Sequence, residues 1–351
     1  MKKAEDFKIL SALVLILAIA MISCVAKTPP IKTPNAIASL EKVNLGGVDQ
    51  WILIRGTDIK NPVLLHLHGG PGDSEMPMEH YFGVELEKHF VFVMWDQRGA
   101  GKSYSAKIPK ETMTIDQFVS DAHELTLVLK KRFSADKIYL MGHSWGTILG
   151  TLLVQKYPED YYTYVGIGQC VDILRNEEIS YQFVLKEAKT RKNKSALKDL
   201  EEIGPPPYKD ISGLITKQRW LRKFGGMFHD PKGMRKLYQI ALKSPEYTLP
   251  DFLNYYNGSF RAVQAIWDEM TKVNFLDQAP RLEVPVYFFE GRHDYGTSWE
   301  LMQEYYEKLD APNGKHLIWF ENSAHSPNLE EPEKFSEVMI NQVLKETYVK
   351  P

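Results

Sequence analysis

The chain is poor in cysteine: Cys24 and Cys170 are the only two in 351 residues. Cys24 lies in an amino-terminal apolar run, so the body keeps one thiol, and one thiol cannot close an internal disulfide. Cys170 ends a strand-like segment and reads as a small buried hydrophobe. An excess of charge of either sign is also missing. Basic side chains number 43 and acidic ones 45, for a formal charge of −2, so no whole-molecule field favours a polyanion and nucleic acid is excluded as the expected partner. The densest basic stretch, Lys186 to Lys198, is interrupted by Glu187 and Ala188 and reads as the wet face of a helix. Repeats and low-complexity tracts are absent. Two further absences leave no expected cofactor. Gly99-Ala-Gly-Lys-Ser103 looks like the tail of a phosphate loop, but that pattern needs glycine at position 96, where Asp96 stands. His66 and His68 share one face of a strand without a third ligand at metal-site spacing, and no H-E-x-x-H occurs, so no metal is expected. What is present is ample apolar material, 44% of residues, enough for one large α/β domain carrying a substantial insertion.

The first residues read as an address. Lys2, Lys3 and Lys8 precede Ile9 to Ala26, eighteen residues without charge. That length lies between a long signal core and a short membrane span. Cys24, following a small residue at the end of the run, is similar to the lipidation site of bacterial lipoproteins; an uncleaved amino-terminal anchor is the alternative. Either reading predicts a folded body outside the cytoplasm, tethered to a membrane, with residues 1–26 as the export segment. A stiff, proline-containing linker is expected over 27–39.

From about residue 40, eight segments read as strands: Lys42 to Val48, Gln50 to Arg55, Val63 to His68, Phe90 to Trp95, Ile138 to Met141, Tyr164 to Ile167, Val284 to Glu290 and His316 to Phe320. Gly46-Gly47 lies near the turn between the first two, which predicts an antiparallel edge. The others alternate with helical stretches such as Thr114 to Phe133, where Thr114 and Gln117 form a plausible capping box. Short apolar strands alternating with amphipathic helices predict an α/β fold: a mostly parallel sheet covered on both faces. The alternation stops after Cys170 and returns near 280. Residues 171–279, rich in helical periodicity and aromatics, therefore read as a helical lid inserted into a core of 40–170 and 280–351.

Gly142-His143-Ser144-Trp145-Gly146 directly follows the strand ending at Met141. Glycines on both sides of a serine, where a strand turns into a helix, suit a tight and strained nucleophile elbow. The apolar stretch from Thr147 to Tyr157 before Pro158 suits a helix buried beneath a sheet. A serine hydroxyl needs a neutral imidazole to take its proton, and a carboxylate to hold that imidazole in the right tautomer. The expected chain order is nucleophile, acid, histidine, each on a loop at a strand's carboxyl end. His325, past the strand ending at Phe320, is the candidate base, and Asp294, past the strand ending at Glu290, the candidate orienting acid. Glu290 is the fallback acid; His293 and His316 are read as structural. The developing oxyanion needs fixed donors, and His68-Gly69-Gly70-Pro71-Gly72 supplies a bare turn in the right place. Gly70 and Trp145 are the candidate N–H donors, with Gly69 the rival.

Together these residues resemble the α/β-hydrolase superfamily, and within it the proline iminopeptidase branch. The likeness rests on His68 to Gly72, Trp95 to Ser103, Gly142 to Gly146, Gly291 to Asp294 and the His325 loop, in that order. It implies an α/β-hydrolase fold and a serine hydrolase that removes amino-terminal residues from short peptides, with Asp96 to Ser103 as a structural turn near the pocket. That branch places a Trp-Glu element in its lid to meet the substrate's free amine. No Trp-Glu pair occurs in 171–279, and Glu177 and Glu178 are the candidate substitutes. An esterase or amidase acting on a small acyl compound, and a catalytically silent binding module, are the other classes. Their marks would be indifference to a free amine and a lost triad member respectively.

Overall fold

Gly46 and Gly47 take φ of +53° and +75°. Consecutive positive φ values match the tight hairpin turns whose twist suits the flanking strands. They close strand β1 (Ile37–Leu45) onto β2 (Val48–Gly56) in antiparallel register, Leu45 facing Val48. The turn also corrects one expectation: β1 stops at Leu45 and Val48 opens β2, because no strand runs through the two glycines.

The computed structural model describes residues 26–348. The amino-terminal run through residue 25, with Cys24, lies outside the described residues, as do residues 349–351. No helix among the described residues is long and apolar enough to cross a membrane. Six further strands are β3 (Val63–Leu67), β4 (Val91–Asp96), β5 (Ile138–His143), β6 (Tyr161–Ile167), β7 (Val286–Gly291) and β8 (Lys315–Phe320). They form one sheet in the order β1-β2-β4-β3-β5-β6-β7-β8. From β4 to β8 every neighbouring pair is parallel; only β1 and β2 run against their neighbours.

Helices of seven residues or more are α1 (Ile115–Phe133), α2 (Trp145–Lys156), α3 (Ile173–Thr190), α4 (Lys194–Ile203), α5 (Ile211–Phe224), α6 (Pro231–Ala241), α7 (Leu249–Met270), α8 (Trp299–Lys308) and α9 (Pro332–Val338). The Thr114 side chain caps α1 by accepting from Gln117 N. Only half of the expected box forms, because the Gln117 amide bonds Asp121 instead, at 2.7 Å. Two apolar clusters line the two faces of the sheet. Ile148, Leu149 and Leu153 of α2 pack with Phe118 and Leu125 of α1 on one. Phe82, Phe90, Tyr139 and Phe335 pack on the other. Alternating side chains of each strand feed both, the arrangement a doubly covered parallel sheet requires. Helices α3 to α7 leave the core after β6 and return at β7, and α3, α4 and α5 share a cluster of their own around Tyr181, Val184 and Leu221.

Candidate active site

Ser144 sits between β5 and α2 with φ 53° and ψ −118°. This backbone is strained for a residue with a side chain and persists only when its surroundings enforce it. Here they do. Ser144 N donates to Ile167 O at 2.9 Å, and Ser144 O accepts from Thr147 N at 2.8 Å. A Cβ on Gly142 would lie 2.5 Å from Gly146 O, and one on Gly146 would drive into the carbonyl of Leu67. Both glycines of the motif are therefore needed so that β5, α2 and β3 can pass at backbone distance.

His325 lies past β8, as the spacing predicts. Its Nδ1 is 2.8 Å from Asp294 Oδ2, and Thr297 Oγ1 lies 3.1 Å from the same nitrogen and donates to Asp294 Oδ2 at 3.0 Å. The other oxygen, Asp294 Oδ1, accepts the main-chain N–H groups of Gly296 at 2.7 Å and Thr297 at 3.0 Å. With Nδ1 donating to the carboxylate, Nε2 of the neutral ring is left as the acceptor. The ring has little room to tilt: a Cβ on Gly168 would lie 2.9 Å from Nδ1, and one on Gly296 would lie 3.0 Å from Cγ. Ser144 Oγ makes no hydrogen bond among the described residues. It stands close to the histidine loop nonetheless, since its neighbour His143 donates from Nε2 to His325 O at 2.9 Å.

The fallback acid, Glu290, is wholly buried beside Asp294. Burial first, then the Asp294 charge and a hydrogen bond to it, push the Glu290 carboxyl well above its usual range. Glu290 is thus the neutral, proton-holding neighbour and Asp294 the group that faces the imidazole. His293 stacks on His229, ring centroids 3.8 Å apart, and His316 stacks on Tyr287 at 4.4 Å, both away from Ser144.

Gly69 approaches the nucleophile closely; a Cβ there would be 3.3 Å from Ser144 Cβ. Its N–H, however, points to Glu75 Oε1 at 3.3 Å, which removes it as an oxyanion donor. The N–H groups of Gly70 and Trp145 are engaged by no described residue. Gly70 has φ +116°, and a Cβ would lie 2.5 Å from Gly72 N, so the turn tolerates glycine alone. Behind it, Gln97 clamps the end of β3 to the elbow. Its amide donates to His68 O at 3.0 Å, and its carbonyl accepts from Trp145 Nε1 at 2.9 Å. Burial lowers the His68 pKa to about 4, so the ring is neutral, accepting from Gln97 N and bonding Gly69 O through Nδ1 at 2.8 Å.

Sequence reading missed Glu75. Its buried carboxylate meets His143 Nδ1 at 2.5 Å, His66 Nε2 at 3.0 Å and the Asn328 amide at 3.3 Å. One side chain therefore braces the oxyanion turn, the elbow and the histidine loop. Burial opposes both charges of the Glu75–His143 pair. Their mutual attraction outweighs it, holding Glu75 well below the usual carboxylate range and His143 above the usual imidazole range.

Glu177 and Glu178 are not where the substrate amine was expected to find them. Glu177 forms a buried ion pair with Lys217, 2.8 Å away and wholly enclosed, and Glu178 is exposed on the surface of α3. The α3 residue that reaches the site is Asn176, which accepts from Ser298 N at 2.6 Å and donates to Gly296 O at 2.8 Å, fastening the lid to the acid loop. Asp73, on the oxyanion turn, faces lid helix α7: half-buried, it accepts from Ser259 Oγ at 2.5 Å and has no cation within ion-pair distance among the described residues. The Asp96 turn is structural, its buried carboxylate taking hydrogen bonds from Ser74, Tyr247 and Lys102 N. Glu79, His80 and Glu87 cluster elsewhere, and Arg55 supplies their cation at 2.5 Å from Glu87.

The family model for the alpha/beta hydrolase fold matches residues 62–332, which spans both catalytic halves and the lid. The chain belongs to the α/β-hydrolase family. This hydrolase is similar to a probable aminopeptidase, YbaC, of Bacillus subtilis, with 38% identity over 308 residues covering 87% of this chain and 96% of that protein. It is also similar to the proline iminopeptidase of Saccharolobus solfataricus, 28% identical over 83% of this chain and 88% of the relative. The crystal structure of proline iminopeptidase from Mycobacterium smegmatis superposes with a TM-score of 0.63 over 88% of the hydrolase and 98% of that chain, at 18% identity, a likeness of fold.

Proposed function

We propose that this hydrolase is an exported, membrane-tethered serine aminopeptidase that cleaves short peptides or amino-acid amides bearing a free amine. One observation carries the chemistry: His325 is locked with Nδ1 on Asp294, so its free Nε2 is left as the proton acceptor for the strained, partly buried Ser144. Ser144 attacks the scissile carbonyl as His325 takes the hydroxyl proton, and Asp294 steadies the resulting imidazolium. The carbonyl oxygen, now negative, settles between the N–H groups of Gly70 and Trp145. His325 returns the proton to the leaving amine, and water, activated by the same base, releases the acyl group. The Ser144–His325 hydrogen bond forms as substrate binds, a common tightening relative to the empty enzyme.

The aminopeptidase reading draws on the similarity to YbaC and to proline iminopeptidases. A free amine calls for a carboxylate near the oxyanion turn. Glu75 is taken by two histidines and Glu177 by Lys217, whereas Asp73 accepts only a neutral hydroxyl, so Asp73 is the group we assign to the ammonium. Export and tethering rest on the charge-free run Ile9 to Ala26 and on Cys24, both largely outside the described residues.

The test is a fluorophosphonate probe followed by paired substrates. Labelling of the folded protein that vanishes in Ser144→Ala supports the enzyme; no labelling of folded wild type supports a binding module. Hydrolysis of alanine anilide but not of its N-acetyl form supports the aminopeptidase. Cleavage of short-chain esters with no cleavage of any unblocked amide would make it an esterase.

A further inference from the structure

Six of the twelve exposed large apolar side chains among the described residues fall in one stretch of the lid, from Tyr238 to Phe260. Leu242 at the end of α6 is 64% exposed, and Leu249 and Leu253 at the start of α7 are 72% and 62% exposed. Apolar exposure on this scale in a short stretch marks a surface that meets something other than water. Its flank is basic: between positions 231 and 243 stand Lys232, Arg235, Lys236 and Lys243, with no acidic residue. An apolar ridge edged by lysine and arginine fits the headgroup zone of an anionic bilayer, where the ridge enters the acyl boundary and the cations stay with the phosphates.

The amino-terminal chain enters the structure beside this ridge. Lys27 N donates to Pro245 O at 3.0 Å, between Leu242 and Leu249, and the Arg55 guanidinium bonds Pro29 O at 2.8 Å together with the Thr28 hydroxyl. Residues 27–29 are therefore fastened to both lid and core. Cys24 is only three residues before Lys27, and the uncharged run ends at Ala26. Three residues span at most about 10 Å. A lipidated Cys24 and an uncleaved anchor thus have the same geometric consequence: the bilayer lies next to the α6–α7 corner.

We infer that the α6–α7 corner of the lid, through Leu242, Leu249 and Leu253 and the basic face of α6, docks on the surface of an anionic phospholipid bilayer. The body is then held in one orientation, lid toward the lipid. The inference goes beyond the hydrolytic reading and rests on the tether reading.

Full-length protein in vesicles of mixed phosphatidylglycerol and phosphatidylcholine tests it. A fluorophore is placed on Leu249→Cys or, as a control on core helix α8, on Lys308→Cys, the labelled unaltered protein giving the background from Cys24. Spin-labelled lipid is the quencher. Quenching at 249 several-fold above that at 308, reduced by Arg235→Glu with Lys236→Glu, is the expected result. Equal quenching at both sites in vesicle-bound protein overturns the docked orientation and leaves the tether standing. Protein that never associates with vesicles removes both. Shielding of the 249 dye that grows with protein concentration and ignores spin-labelled lipid would mean that a second copy covers the ridge, which also overturns the proposal.

Discussion

At the residue scale, the site separates two adjacent carboxyl groups by environment. Asp294 is surrounded by donors, while Glu290, buried and facing Asp294, keeps its proton. Asp294→Asn, which turns a donor toward the imidazole, should lower kcat by about 10⁴-fold. Glu290→Gln, which preserves a donor toward Asp294, should stay within about tenfold of wild type, less than one hydrogen bond to a charge contributes. Steady-state kinetics on one substrate distinguish the two. Asp73→Asn should lower the kcat/KM for alanine anilide about 10- to 100-fold relative to that for a short-chain ester, the range expected for one charge-assisted hydrogen bond. Asp73→Glu should recover part of that ratio. A further prediction concerns pH. His143 binds its proton more tightly in the fold than in the unfolded chain, so its contribution to stability is complete below the ordinary imidazole value of 6.5 and fades as pH rises through the raised one. Glu75 has the opposite sign: its contribution is present above 4.5 and lost as acid passes its depressed value. Thermal unfolding should therefore show a decline in Tm on the alkaline side of 6.5 that is missing in His143→Gln.

At the scale of elements, the strand–elbow–helix unit depends on bare backbone. Gly146→Ala should destabilise the fold by about 1–3 kcal/mol, the usual cost of overpacking, because the added methyl meets the carbonyl of Leu67. Chemical denaturation measures it, and probe labelling of Ser144 should fall with it. This unit was also the most legible part of the sequence. Two glycines around a serine, a strand before and an apolar helix after are local signals, and so are the loops that deliver Asp294 and His325. The network that braces them is not local. Glu75 and Asn328 lie 253 positions apart, and no spacing rule joins them. Glu177 misled for the same reason: its partner Lys217 stands 40 residues downstream on another lid helix, and only packing brings α3 and α5 together. The end of the first strand was misplaced by three residues: Val43 and Leu45 alternate only as far as Gly46-Gly47, where the backbone turns and Val48 already belongs to β2.

At the scale of the whole molecule, the lid is stitched to the core in several places. Tyr247 bonds Asp96 and Ser74, Lys102 pairs with Asp251 at 2.8 Å, and Ser259 holds Asp73. Tyr247→Phe removes a buried hydroxyl from this seam and leaves Asp96 and Ser74 to each other. Limited proteolysis should then cut between α6 and α7 faster than in wild type, with the core fragments unchanged. The chain departs for the lid just after Ile167, whose carbonyl holds Ser144 N, and the next residue, Gly168, abuts the His325 ring. Nucleophile and base therefore lean on two consecutive residues at the root of the lid. Any displacement of that root would therefore reach the elbow and the imidazole together, through one short piece of main chain.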